Sequence, residues 1–156
     1  MAYERELLDP VNRRIIEELQ ADARLTIAEL ARRVSLSAPA VSERLQRLEE
    51  AGVITGYRAV IDPRSVGFPL SAVVRVRPGV RELQRIPELA REIPEIVECQ
   101  RTTGEDCFFL RVYLRSIDDL EGILDHFTPY GQTTTSIVAS TAFSNRPLPI
   151  ANGDEP

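Results

Sequence analysis

Residues Thr26 to Gly52 read TIAELARRVSLSAPAVSERLQRLEEAG. Two helices with a break at Ser35-Leu36-Ser37 are written into this stretch. Thr26 and Glu29 form a capping box that opens the first, whose inner face is Ile27, Leu30, Ala31 and Val34. Ser37 caps the second. Val41, Leu45 and Leu48 fall at i, i+4 and i+7, and Gly52 ends it. A turn this tight sets two helices at a steep angle and frees the later one to enter a groove of DNA. Upstream, Asp9 before Pro10 is an N-cap followed by a first-turn proline, and Ile15, Ile16 and Leu19 share one helical face. Asp9 to Asp62 therefore reads as a helix-turn-helix unit running into a short strand. Three amphipathic segments this close together do not fit a catalytic α/β domain.

In the last helix Ser37, Ala38, Ser42 and Arg47 face outward. Small residues near its start allow close approach to base edges, and a guanidinium follows further along. Arg33, Arg44 and Arg58 are placed to contact phosphates. A plain helical bundle uses the same apolar faces, and any single arginine here also suits a solvated helix face with i, i+4 pairs.

The second half changes period from 3.6 to 2. Leu70, Ala72, Val74 and Val76 alternate with Ser71, Val73, Arg75 and Arg77 in a strand ended by Pro78-Gly79. Pro87 sits in the first turn of a helix with Leu89, Ala90 and Ile93 inside and Pro94 as its stop. Residues 96–103 and 107–114 are strands joined by a turn at Gly104-Glu105-Asp106. Ser116 and Asp119 box a helix that buries Leu120, Ile123, Leu124 and Phe127 and breaks at Tyr130-Gly131. A last strand spans 133–142. The order βαββαβ is that of a ferredoxin-like α+β domain, with one sheet face left open for a second copy. The expected divisions are 1–62 for the winged helix-turn-helix domain, 63–69 for a linker, 70–144 for the sheet domain and 145–156 for a tail that is mobile at its end.

The chain has 156 residues and a formal net charge of −5, and all 19 of its basic residues are arginine. An acidic whole is compatible with a DNA partner that meets one basic face, and it implies modest affinity per unit. There is no apolar run of membrane-spanning length and no signal-peptide pattern, so a cytoplasmic protein is expected. Cys99 and Cys107 lack metal-ligand neighbours, so no zinc site and no cofactor is expected; both are placed in strands as inert core residues. His126, the single histidine, falls at a helix end. No nucleophile triad, metal cluster or phosphate loop is present in the pattern, and no enzyme activity is expected.

These residues carry a resemblance to the Lrp/AsnC, or feast/famine, regulators. Leu8-Asp9, Ile15-Ile16, Leu30-Ala31, Ser37, Arg44, Leu48-Glu49, Gly52-Val53-Ile54 and Gly56-Tyr57-Arg58-Ala59 match the first half. Val97-Glu98-Cys99, Thr103 to Phe108 and Gly131 to Val138 match the effector-binding half, often called RAM. The resemblance implies a sequence-specific transcription regulator that forms homodimers through the sheet domain and often octamers. It also implies that an amino acid or related metabolite binds near the turn between the second and third strands, at contacts between dimers. Gly104, Glu105 and Asp106, with Thr133, Thr134 and Thr135, are the corresponding effector residues. Asp106 suits an ammonium; turn amides and threonine hydroxyls suit a carboxylate. An ordinary charged hairpin turn and a threonine-rich strand have the same composition. The chain departs from the family in two places. Ser35 stands where glycine is frequent, a strain if φ is positive there. Asp106 follows Gly104 by two residues rather than three. Two other functions fit the same plan: an architectural DNA protein without an effector, and a tetrapyrrole decarboxylase, which would need a histidine facing a large pocket.

Overall fold

A computed structural model describes residues 7–150 of the chain. Contacts divide it into two compact units, one running to Ala59 and joined by the segment from Phe143 on, the other spanning Val60–Ala142. The far end of the tail lies outside the described residues.

In the first unit, α1 spans Pro10–Ala21, α2 Ile27–Arg33 and α3 Ala38–Glu50. Each begins as its cap dictates. Asp9 accepts from the Asn12 amide at 2.7 Å. Thr26 and Glu29 cap each other's backbone reciprocally, and Ser37 Oγ accepts from the Ala40 amide at 3.4 Å. The core is Ile15, Leu30, Ala31, Val41, Leu45 and Leu48. Ile27, expected inside, is about one-third exposed because it is the first residue of its helix, ahead of the turn that packs.

Both α2 and α3 close through a residue in the left-handed region. At Gly52 φ is 71°, and Val53 N–H returns to Leu48 O at 2.9 Å. At Ser35 φ is 58°, and Leu36 N–H returns to Ala31 O at 3.0 Å. This is the Schellman closure, and it satisfies carbonyls that a helix end otherwise leaves orphaned. Serine carries a Cβ penalty there that glycine does not. Ser35→Gly is therefore expected to raise stability by about 0.5–1 kcal/mol, after the larger unfolded-state entropy of glycine is subtracted. A lower urea midpoint for the variant would contradict this account of the turn.

The short strand expected after α3 is not formed. From Thr55 to Asp62 the backbone has no regular pairing among the described residues. An extended segment becomes a strand only when a ladder partner lies beside it, and none does here.

In the second unit Asp62 caps a short 3-10 turn, Pro63–Val66, closed by Gly67 at φ 92°. The elements that follow are β1 (Leu70–Pro78), α4 (Arg85–Glu92), β2 (Ile96–Arg101), β3 (Phe108–Leu114), α5 (Asp118–Phe127) and β4 (Gly131–Ile137). The strands form one antiparallel sheet in the order β2-β3-β1-β4. Ala72, Val74 and Val76 of β1 and Phe108, Leu110, Val112 and Leu114 of β3 face α4 and α5, where Ile86, Leu89, Ala90, Ile93, Ile123 and Phe127 complete the core. Burying about thirteen such side chains supplies the main drive for this unit.

Three local expectations need correction. The last strand stops at Ile137, not Ala142, because its final pair is Ala72↔Ile137 and β1 begins two residues earlier at Leu70. Gly131 opens β4 instead of breaking a helix. The box at α5 is half made: Asp119 Oδ2 accepts from the Ser116 amide at 2.9 Å, but no side chain caps the helix in return.

Candidate recognition helix and effector turn

The buried stripe of α3 turns the opposite face outward. Ser37, Pro39, Ser42, Glu43, Gln46 and Arg47 are all exposed. Ala38, expected on this face, is half-buried and packs against the core. Ser37 is exposed, but its hydroxyl is occupied by the cap. Pro39, Glu43 and Gln46 were not singled out from the sequence, although their helical spacing places them opposite Val41 and Leu45.

The arginines divide into two groups. Arg33 pairs with Glu18 at 2.7 Å and ties α2 to α1. Arg44 Nη1 lies 2.6 Å from Asp9 Oδ2 and 3.0 Å from Asn12 Oδ1, tying α3 to the start of α1. Arg32, Arg47 and Arg58 are exposed and have no ion pair among the described residues. The second group carries positive charge that no ion pair among the described residues takes up, as does Arg24. Tyr57 donates to Glu49 at 2.8 Å. Desolvation first, then the hydrogen bond to Glu49 and its charge, push the phenol up to about 12, so it remains a donor at neutral pH.

Partial burial opposes ionisation of Asp9, but the Asn12 amide and the Arg44 guanidinium outweigh it and hold the carboxyl below its ordinary value of 3.8. A depressed folded value means the stabilisation is present above the unfolded pKa and fades as pH falls through the folded one. Acid unfolding of this unit should therefore begin as pH drops below about 4. Asp9→Asn should flatten that part of the stability–pH curve, and a curve unchanged by the substitution would contradict the assignment.

At the turn between β2 and β3, Gly104 holds φ 109° with nothing near the place a Cβ would occupy. Thr102 Oγ1 donates to Asp106 O at 2.7 Å, and Cys107 Sγ contacts Gly104 O at 3.6 Å. Asp106 lies 3.5 Å from Arg75 Nη1 and 3.8 Å from Arg77 Nε. Arg77 also pairs with Glu105. Arg75 and Arg77 stand on the sheet face away from the helices, since Val74 and Val76, which alternate with them, are buried. Sequence reading missed them as site residues; their alternation in β1 was the available signal.

The three threonines are not brought together. Cross-strand partners share a face. Thr134 is opposite Arg75 and so joins the open face, whereas Thr133 and Thr135 are opposite Val76 and Val74 and face the helices. Thr135 Oγ1 is buried without a hydrogen-bond partner among the described residues.

Cys99 is not a core residue, and Cys107 only packs against the edge of the core. Cys99 lies in the edge strand β2 and is exposed, and Cys107 is half-buried just before β3. His126 is exposed in the last turn of α5, with Nδ1 2.7 Å from Gly122 O.

A helix-turn-helix unit followed by a βαββαβ sheet unit defines a two-part transcription regulator. Comparison with known proteins agrees on both parts. Residues 8–55 match the family described as winged helix-turn-helix DNA-binding, and residues 71–148 match the Lrp/AsnC ligand binding domain. The chain belongs to the Lrp/AsnC family of transcriptional regulators. It is 34% identical to LrpC of Bacillus subtilis, over 85% of this chain and 92% of that protein. It is 38% identical to LrpA of Mycobacterium tuberculosis, over 90% of this chain and 96% of the relative. The solved structure of B. subtilis LrpC superposes with a TM-score of 0.83 over 88% of this chain and 98% of that one, at 33% identity. That of the M. tuberculosis feast or famine protein complexed with L-methionine also gives 0.83, over 90% and 98%, at 36% identity. The family and its fold are regulatory, not catalytic. Members bind DNA, form oligomers and in many cases bind an amino acid through the C-terminal domain. No helix among the described residues is long and apolar enough to cross a membrane.

Proposed function

We propose that the chain is a cytoplasmic, sequence-specific regulator whose DNA binding responds to an amino acid or a closely related metabolite. The observation that carries the effector part is the Gly104–Asp106 turn. It has an unobstructed backbone, carboxylates fit for an ammonium, and Arg75 and Arg77 within reach for a carboxylate. The L-methionine complex of the M. tuberculosis relative supports the same chemistry. Of the residues expected from sequence, Gly104, Glu105, Asp106 and Thr134 form the set; Thr133 and Thr135 face away from it.

For DNA, Ser42 and Arg47 read bases, with Ser37 and Ala38 allowing close approach at the helix start. Arg58 contacts phosphate. Arg33 and Arg44 reach phosphate only by sharing their guanidiniums with Glu18 and with Asp9. Two copies pair through the open sheet faces, where Val73, Phe109 and Tyr113 are only partly covered or exposed, and dimers gather into an octamer. Several recognition helices on one DNA make up for weak single contacts.

Arg47→Ala should weaken a specific site by about 1–3 kcal/mol while costing random DNA much less. Equal losses on both, measured by fluorescence anisotropy at one fixed salt concentration, would remove Arg47 from base readout. In the same assay Asp106→Ala should abolish the amino-acid response and leave effector-free DNA binding intact. A response that survives would take Asp106 out of the site.

A further inference from the structure

We propose that Glu43 reads a base, selecting a cytosine close to the guanine taken by Arg47. This rests on α3 being the helix that enters DNA. Glu43 is exposed on the outward face of α3. Among the described residues it is the one carboxylate of the helical unit without a partner. Further along α3, Glu49 accepts from Tyr57 at 2.8 Å and Glu50 from Gln46 at 2.7 Å. Around α1, Glu17 and Glu18 lie against Arg14, and Asp9 lies against Arg44. Asp22 and Glu29 accept from the amides of Arg24 and Thr26. Arg47 stands four residues after Glu43, the spacing at which a glutamate and an arginine pair across one helical turn. No ion pair joins them or ties either to another described residue. An acceptor and a donor are thus left free, side by side, on the face turned to the groove.

A carboxylate is costly on a surface that meets DNA. It approaches phosphates of its own sign, and once water is excluded it needs a hydrogen-bond donor. In the major groove cytosine presents its N4 amino group and no acceptor of its own. Guanine and thymine present acceptor oxygens, and adenine sets the N7 acceptor beside its N6 amino group. Cytosine is therefore the base that satisfies Glu43, as guanine is the base that satisfies Arg47. Four helical residues rise about 6 Å, a little under two base-pair steps of about 3.4 Å. The two bases accordingly lie within about two base pairs of each other. On any other sequence the carboxylate is both repelled and unpaired. Glu43 thus adds little to affinity and widens the gap between the operator and other DNA.

The test is selection from a randomised DNA pool by full-length wild type, Glu43→Gln and Arg47→Ala, followed by anisotropy titration of single-base variants of the selected site at one salt concentration. Glutamine keeps the size of glutamate, loses the charge and pairs with adenine N6 and N7. The wild type should prefer cytosine at one position of each half-site by about tenfold. Glu43→Gln should move that preference to adenine, bind random DNA severalfold more tightly and still select the guanine nearby. Arg47→Ala should relax the guanine and keep the cytosine. A loss of folding would not exchange one preferred base for another, so the change of base reports on readout and not on stability. If Glu43→Gln tightens all sequences equally and keeps the cytosine, Glu43 is only a repulsive charge and the proposal is overturned. If it relaxes the same position as Arg47→Ala, Glu43 only orients Arg47 and the proposal is again overturned. In both cases α3 stands as the recognition helix. If the wild type selects no sequence, α3 does not read bases and the proposal falls with that reading.

Discussion

Gly131→Ala is expected to destabilise the sheet unit by about 2–3 kcal/mol, although the position has no unusual dihedral. A Cβ built there would overlap the Arg77 carbonyl oxygen and stand 2.8 Å from Pro78 Cα and 3.0 Å from the Arg77 carbonyl carbon. All three are backbone atoms and cannot swing aside as a side chain does. They belong to the neighbouring strand, since Pro78 and Gly131 are the terminal pair of the β1–β4 ladder. The adjacent bond from Gly79 N–H to Tyr130 O, 2.8 Å long, holds the strands at that spacing. Relief therefore requires opening the end of the ladder. Gly122, inside α5, provides the contrast, for nothing lies within 4 Å of its added Cβ. Gly122→Ala should stabilise by roughly 0.5–1 kcal/mol through helix propensity alone. Denaturation midpoints should move in opposite directions for the two variants. A Gly131→Ala midpoint at or above wild type would show that the close approach is not maintained in solution.

Asn12→Leu should cost about 3 kcal/mol in the helical unit, despite replacing a polar residue with an apolar one in a buried place. Asn12 is 5% exposed, the one buried polar residue among those described. Its Nδ2 donates to Leu7 O at 2.8 Å, and its Oδ1 accepts from Arg44 Nη1 at 3.0 Å. Leucine satisfies neither, so a buried carbonyl and part of a guanidinium lose their partners. The consequence extends to function, because Arg44 is the link between α3 and the start of α1. DNA affinity should fall along with stability, since the recognition helix loses a fixed orientation against its support. A variant as stable as wild type in urea would mean that water replaces both bonds and that the network contributes nothing.

The sequence was most informative where structure is local. Asp9, Thr26 with Glu29, Ser37 and Gly52 each act within one helical turn, and each was legible from residue type and spacing. The alternation in β1 likewise announced which residues are buried. Contacts across many residues were not legible. Arg44 looks like a surface arginine until the fold brings Asp9 and Asn12 beside it. Arg75 and Arg77 look like ordinary outward strand residues until the turn at Gly104 is seen to reach them. Grouping Thr133, Thr134 and Thr135 was a different kind of miss. The period of two already sends neighbours to opposite faces, and shared hydroxyl chemistry hid that geometry. The strand expected after α3 failed because propensity cannot supply a ladder partner.

The central claim is that one chain couples sequence-specific DNA binding to an amino acid. Selection of DNA from a randomised pool by the full-length protein, run without ligand and with each amino acid in turn, tests it most directly. The account predicts enrichment of one sequence and a change in its recovery with at least one amino acid. Enrichment of no sequence, or of one whose recovery no amino acid alters, would contradict it.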